Sequence, residues 1–292
     1  MKPVFAKILD GKINDVYGLK VVDAPYFSTD FHFHEECQLV YNIESHGRVM
    51  IGDSIENFRN DELFFVGSNL PHVWHNNKHY FNESPTNGQA RSVSVFIHPG
   101  KILDIFKEPE SMQRLKSLFQ LGKRGMKFGV NTTKLAKQLL LKMASETNEF
   151  GRLVKLIEVL NLLCNSKDYQ LLASPGYTNS YQLKDNDRMD KILKYVFDNF
   201  NREILLDTAA EMTNMNKQSF CRYFKKRTQK TFVIFVNEVR IGHACKLIAE
   251  TDQQINELAY ICGFNSLPNF NKFFKMAKGV TPKEYKKMLT SS

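Results

Sequence analysis

The sequence predicts an α+β fold in two parts: an N-terminal β-barrel or sandwich with helices after it, and an all-helical C-terminal half. Three observations carry this expectation. Up to about residue 100, apolar runs are short and separated by turn residues. From Lys101 onward, apolar positions recur every three or four residues. Finally, the last 105 or so residues contain one helical pattern written twice.

The strand runs are Gln38–Ile43, Gly47–Ile51, Leu63–Val66 and Val93–Ile97, punctuated by Gly52-Asp53, Arg59-Asn60-Asp61 and Gly67-Ser68-Asn69. Gly, Asn and Asp reverse the chain at little steric cost, so this spacing suits sheets. The polar stretch Asn76–Ala90 is the longest loop expected. Leu135, Leu139 and Met143, then Leu153, Leu156, Ile157, Leu160 and Leu163, draw the buried stripes of two consecutive helices. Residues 166–187, with Ser174-Pro175-Gly176 and few apolar positions, read as a linker. The expected division is therefore 1–165, a linker over 166–187, and 188–292.

A chain of 292 residues accommodates two domains. Its net charge of +9 is uneven: residues 185–292 hold 18 Lys+Arg against 12 Asp+Glu, and the first 184 hold 22 against 19. The excess lies where the repeat lies, as a surface for a polyanion requires. The five cysteines are odd in number and form no C-x-x-C pair, which argues against a disulfide framework or a cysteine zinc site. With neither a signal-like segment nor an apolar run long enough to span a bilayer, a reduced cytoplasmic protein without a membrane partner is the expectation.

In the helical half, a helix from Arg188 to about Phe200 carries Met189, Ile192, Leu193, Val196 and Phe197. Two modules follow, joined by a long helix from about Phe232 to Ile248. One extra residue in the second turn aligns the modules. Ala210 matches Ala259, Asn214 matches Gly263, Asn216 matches Ser266, Phe220 matches Phe270, Arg222 matches Lys272, and Phe224-Lys225 matches Phe274-Lys275. Asn214 and Gly263 suit left-handed turns. Asn216 and Ser266 stand where side chains cap the next helix. Phe220, Phe224, Phe270 and Phe274 repeat at four and read as core rather than as base-stacking rings. The opposite faces offer Lys217, Gln218, Cys221, Arg222, Lys225 and Lys226 in the first copy, and Asn269, Asn271, Lys272 and Lys275 in the second. Arg, Gln and Asn match base edges in the major groove, whereas Lys suits phosphates. Each charge alone is as consistent with a solvated surface; the set repeated in register points to a tandem helix-turn-helix domain on double-stranded DNA. Two such helices reach successive major grooves about 34 Å apart.

In these residues the chain resembles the AraC/XylS-type family of transcription regulators. The most specific part is Gly263-Phe264-Asn265-Ser266, Phe270, Lys272, Phe274-Lys275 and Gly279-Val280-Thr281-Pro282-Lys283-Glu284-Tyr285, with Val239-Arg240-Ile241 in the joining helix. The resemblance implies that base readers fall at Gln218, Cys221 and Arg222 and, more variably, at Asn269, Asn271 and Lys272. Leu267 and Pro268 depart from the polar readers some members have. The N-terminal half is similar to that family's cupin-type sensor, through His32-Phe33-His34, Gln38-Leu39-Val40-Tyr41, Gly52-Asp53, Asp61-Glu62-Leu63 and Leu70-Pro71-His72-Val73-Trp74. That implies a small-molecule effector in the barrel, a homodimer formed through the following helices, and RNA polymerase as a further partner.

Because His32 and His34 alternate with Phe33, they project from one face together with Gln38, and His72 approaches from a neighbouring strand. A small polar ligand is expected beside His32, His34, Gln38 and His72, with Trp74 near the entrance. Three imidazoles also suit a divalent metal. Metal-dependent cupin enzymes, however, carry a carboxylate about where Gln38 stands, so the primary expectation has no metal, no cofactor and no catalytic residue. A metal-dependent cupin enzyme with a helical appendage is the rival reading. His75 and His79 are expected in a loop.

Overall fold

The computed structural model describes residues 16–27, 30–81, 89–179 and 186–290. The chain divides into two compact units, Met1–Ser54 with Phe58–Asn186, and Ile55–Asn57 with Asp187–Ser292.

In chain order the first strands are β1 (Tyr17–Ala24), β2 (Cys37–Glu44), β3 (Gly47–Ile51), β4 (Ser54–Phe58), β5 (Glu62–Val66), β6 (His72–Asn76) and β7 (Ala90–Ile97). After these come α1 (Pro99–Asp104), α2 (Pro109–Gly122), β8 (Met126–Phe128), α3 (Val130–Ser145), α4 (Glu149–Asn165) and β9 (Tyr169–Leu171). The strands form a six-stranded sheet, β1-β7-β2-β5-β8-β9, and a three-stranded sheet, β4-β3-β6.

The period of two along β2 and β7 divides their side chains between two cores. Cys37, Leu39, Tyr41, Val93, Val95 and Ile97 pack with Leu115, Leu118, Leu140, Met143, Leu156 and Leu160 of the helices. Val40, on the other face of β2, packs with Phe64, Val66, Val49, Ile51 and Trp74, which joins the two sheets. Both faces of β2 are covered, so nearly every residue of that strand is buried.

Three expectations need correction. Residues 166–187 do not all form a linker. β9 pairs with β8, with Met126 opposite Leu171 and Phe128 opposite Tyr169. Beyond it, Ala173 N–H donates to Arg124 O at 2.7 Å and Ser174 N–H to the Asp53 carboxylate at 2.9 Å. A segment whose backbone groups are taken up by the sheet edge is part of the domain; residues 180–185 lie outside the described ones. The buried stripe of α3 is Ala136, Leu140 and Met143; of the expected Leu135, Leu139 and Met143, Met143 is buried, Leu139 packs half-buried against the core and Leu135 is exposed. The helix meets the sheet one position round from the face its bulkiest residues suggest. Finally, His75 lies on β6, buried and against the Phe81 ring, while the stretch 82–88 of the expected Asn76–Ala90 loop lies outside the described residues.

The second unit is helical: α5 (Asn186–Asn199), α6 (Leu206–Met212), α7 (Lys217–Thr228), α8 (Phe232–Glu250), α9 (Ile255–Ile261), α10 (Leu267–Lys278) and α11 (Pro282–Thr290). The stripe expected on α5 is buried throughout. In the first half of the unit, Phe224 sits against Phe220, Phe232 and Phe235 with ring centroids 5.2–5.7 Å apart. In the second half, Phe270 and Phe274 pack on Phe264 and Tyr285 at 5.3–5.6 Å. Each such ring contributes about 1.5–3 kcal/mol by leaving water.

Candidate functional site

Two places gather the polar residues singled out above. The first is a cavity of about 450 Å³ in the sheet unit. Its floor is the face of the large sheet turned away from the helices. Lys20 and Val22 of β1 stand opposite Ser94 and Ser92 of β7, and Gln38 and Val40 of β2 stand opposite Phe96 and Ser94. His32 and Trp74 complete the wall. Trp74 is buried and its Nε1 has no hydrogen-bond partner among the described residues, an uncompensated donor on a cavity wall.

The three histidines come together at this wall. His32 bridges His72 through paired backbone hydrogen bonds of 2.9 and 3.1 Å, and this bridge brings the two segments side by side. One ring nitrogen from each of His32, His34 and His72 lies within 4.8 Å of the others. Each Nδ1 faces a backbone carbonyl: His32 donates to Asp30 O (2.7 Å), His34 to Glu36 O (2.9 Å) and His72 to Leu70 O (2.7 Å). The Nε2 atoms of His34 and His72 lie 3.3 and 3.0 Å from Gln38 Oε1, and the Gln38 amide nitrogen reaches Ser94 Oγ at 3.4 Å.

Burial holds all three imidazoles below the usual histidine range. It brings His34 down to about 4, with neighbouring His32 adding to the effect, and takes His72 well below its ordinary value. The cluster is therefore neutral near pH 7.

The second place is the helical pair of units α6–α7 and α9–α10. Each is a short helix, a left-handed residue and a longer helix, and the turn hydrogen bonds repeat. Asn214 (φ 54°) donates to Glu211 O and Met215 to Ala210 O; Gly263 (φ 85°) donates to Tyr260 O and Phe264 to Ala259 O, all at 2.9–3.1 Å. Asn216 caps α7 by accepting from Ser219 N–H at 2.8 Å. Ser266 holds the matching position but makes no such bond. Its backbone is more extended, φ −155° against −74° at Asn216, and Pro268 removes one of the amides a cap would serve.

All ten polar residues expected on the outer faces are exposed: Lys217, Gln218, Cys221, Arg222, Lys225 and Lys226 on α7, and Asn269, Asn271, Lys272 and Lys275 on α10. Lys217 is also tied to Asp207 at 2.7 Å.

Sequence reasoning missed Lys20, Ser92 and Ser94 in the cavity. The alternation of Ser92 and Ser94 with Val93 and Val95 was the available signal for the serines. It placed Arg240 on the joining helix without foreseeing its contacts: the guanidinium donates to Phe200 O and Arg202 O and lies over the Phe264 ring, joining the two halves of the helical unit.

Residues 209–288 match a protein family described as a helix-turn-helix domain. The uncharacterised HTH-type transcriptional regulator YdeC of Bacillus subtilis is 31% identical over 112 residues, a match spanning 38% of this chain and 38% of YdeC. The HTH-type transcriptional activator RhaR of Klebsiella pneumoniae is 21% identical over 255 residues, covering 87% of this chain and 86% of RhaR. Among solved structures, ToxT from Vibrio cholerae aligns with 96% of this chain and 100% of its own at 14% identity and a TM-score of 0.38.

Proposed function

We propose that this chain, whose C-terminal part is an AraC-type helix-turn-helix domain, is a transcription regulator that reads DNA with α7 and α10 and is controlled by a small molecule in the sheet-unit cavity. The observation that carries this reading is the duplicated unit: two turns with the same hydrogen bonds, each followed by a helix with a buried Phe pair and an exposed polar face. Gln218 and Arg222 meet base edges, and Cys221 packs against them. On α10, Asn269, Asn271 and Lys272 take the same part. Lys217, Lys225, Lys226 and Lys275 neutralise phosphates, which sets position and salt dependence rather than sequence preference.

A ligand in the cavity contacts His32, Gln38 and Trp74, with His34 and His72 buried behind Gln38 and holding its amide, and favours one of two states of a homodimer. It shifts promoter occupancy, or contact with RNA polymerase, only by its difference in affinity for the two states. The bacterial cytoplasm is the setting in which these partners meet.

Selection of bound genomic fragments by the purified full-length chain at two salt concentrations tests the DNA half. One shared motif, weakened by salt yet preferred over random duplex, is the expected outcome; random fragments alone at both salts would remove sequence-specific recognition. Trp74, the single tryptophan, tests the cavity half. Ligands that alter duplex binding should change its fluorescence, and an unresponsive Trp74 would move the effector site elsewhere.

A further inference from the structure

The two reading helices present the same ridge with different chemistry. At about 100° per residue, positions four apart stand above one another on one helix face. Phe270 and Phe274 are buried, so the ridge on the far side of α10 is Pro268, Lys272 and Met276. The matching ridge of α7, opposite buried Phe220 and Phe224, is Gln218, Arg222 and Lys226. All six ridge residues are exposed. A central cation is kept in both copies. On either side of it, α7 carries an amide and an ammonium, and α10 carries a proline ring and a thioether.

Pro268 has a local role, since a proline in the first turn of a helix costs no hydrogen bond. Met276 has no such role: it is 55% exposed and stands outside the core that holds Phe270 and Phe274. An apolar side chain on a groove-facing ridge meets one apolar group on the base edges of the major groove, the C5-methyl of thymine. Asn269 and Asn271 flank the ridge and are exposed. An asparagine amide makes two hydrogen bonds to adenine, the other half of the same base pair. Apart from its lysines, the face of α10 thus selects A·T pairs from one strand or the other. On α7 the fork of Arg222 suits guanine instead.

We infer that the two modules recognise unlike half-sites, with Pro268 and Met276 as specificity determinants that read thymine methyl groups in an A·T half-site under α10, an assignment that rests on the DNA reading proposed above. Arg222 reads a guanine in the half-site under α7. Eight residues along α10 separate the two apolar side chains by about 12 Å. Base pairs stack at about 3.4 Å, so the two thymines lie about three to four positions apart.

The test uses the full-length protein and the duplex it enriches most from a randomised library. Deoxyuridine in place of thymidine removes the C5-methyl and leaves every hydrogen-bonding group on the base edge. Thymidines are replaced one at a time, and affinity is read by titration. Two replacements within one half-site, at the spacing given above, should weaken binding about fourfold each, the effect of one methyl leaving water. Replacements in the half-site whose guanine preference is lost in Arg222→Ala should leave affinity nearly unchanged. Pro268→Ser and Met276→Ser put a short polar side chain on the ridge, and each should abolish the effect of one of the two replacements. Both positions are exposed, and circular dichroism checks that the variants are folded. Affinity indifferent to deoxyuridine in both half-sites would overturn the methyl contacts. Equal losses in wild type and both variants would overturn them too, and would assign the effect to duplex shape. No motif enriched at all would remove sequence-specific recognition and the methyl contacts with it, whereas a motif indifferent to deoxyuridine removes the methyl contacts alone.

Discussion

The two helix-turn-helix units share a backbone and differ in the residues that hold it. Both turns make the same pair of hydrogen bonds around a left-handed residue, yet one uses Asn214 and the other Gly263. The neighbours supply the reason. Asn214 is exposed, whereas a Cβ on Gly263 would lie 2.6 Å from Phe200 O and 3.0 Å from the Asn201 backbone. The second turn is pressed against the segment after α5, which Arg240 holds by two hydrogen bonds. Capping differs in the same sense: Asn216 closes α7 with its own side chain, and Ser266 leaves α10 without that bond. A left-handed turn tolerates either residue; close approach of another backbone permits only glycine.

Exchanging the two turn residues is the sharpest way to break this comparison. Gly263→Asn should cost roughly 2–4 kcal/mol, because the clash is with backbone rather than a flexible side chain. Asn214→Gly should stay within about 0.5 kcal/mol. Chemical denaturation of the full-length variants measures both, and equal effects would mean that the Phe200 contact imposes nothing.

On DNA, the comparison concerns which unit reads sequence. Arg222→Ala should weaken specific binding by roughly 1–3 kcal/mol with a smaller loss on random duplex. Lys272→Ala, at the matching position, should also weaken specific binding more than random, but by a narrower margin, because an ammonium lacks the guanidinium's two-pronged fork. Titration of specific and random duplexes checks this, and equal loss on both for Arg222→Ala would reassign it to a phosphate.

The caps predict a smaller contrast. Asn216→Ala should cost about 1 kcal/mol and Ser266→Ala only a few tenths, read from thermal melts. The smallest effect is chemical. Cys221 is exposed on α7 and should react with an alkylating reagent in free protein and be protected by cognate duplex; buried Cys262, just ahead of the second turn, should react in neither state. Unchanged Cys221 labelling on bound duplex would put that face of α7 away from the DNA.

Legibility followed the range of the interactions. The repeat was readable because caps, left-handed turns and Phe pairs at four impose residue types within a few positions of one another. The His32-Phe33-His34 alternation gave two members of the cluster, and Gln38 followed from the same period of two. β9 was not readable, since a three-residue strand such as Tyr169–Leu171 has no periodicity and exists only because the edge of β8 is there to pair with it. Lys20, Ser92 and Ser94 escaped notice for the same reason: they join one cavity through strand register between segments some seventy residues apart. On α3, the apolar count favoured Leu135, and packing chose Ala136.

By itself, then, the sequence determined the two-part α+β division, the duplicated helical unit, the exposed polar faces of α7 and α10, and the pairing of His32 with His34. These depend on backbone preference and side-chain period, which are local. Tertiary structure alone decided that His72 closes the cluster through its bridge to His32, that each of the three imidazoles turns its Nδ1 to a backbone carbonyl, and that only glycine fits at residue 263. Those outcomes depend on where distant carbonyls and backbones come to rest, and no spacing along the chain encodes that.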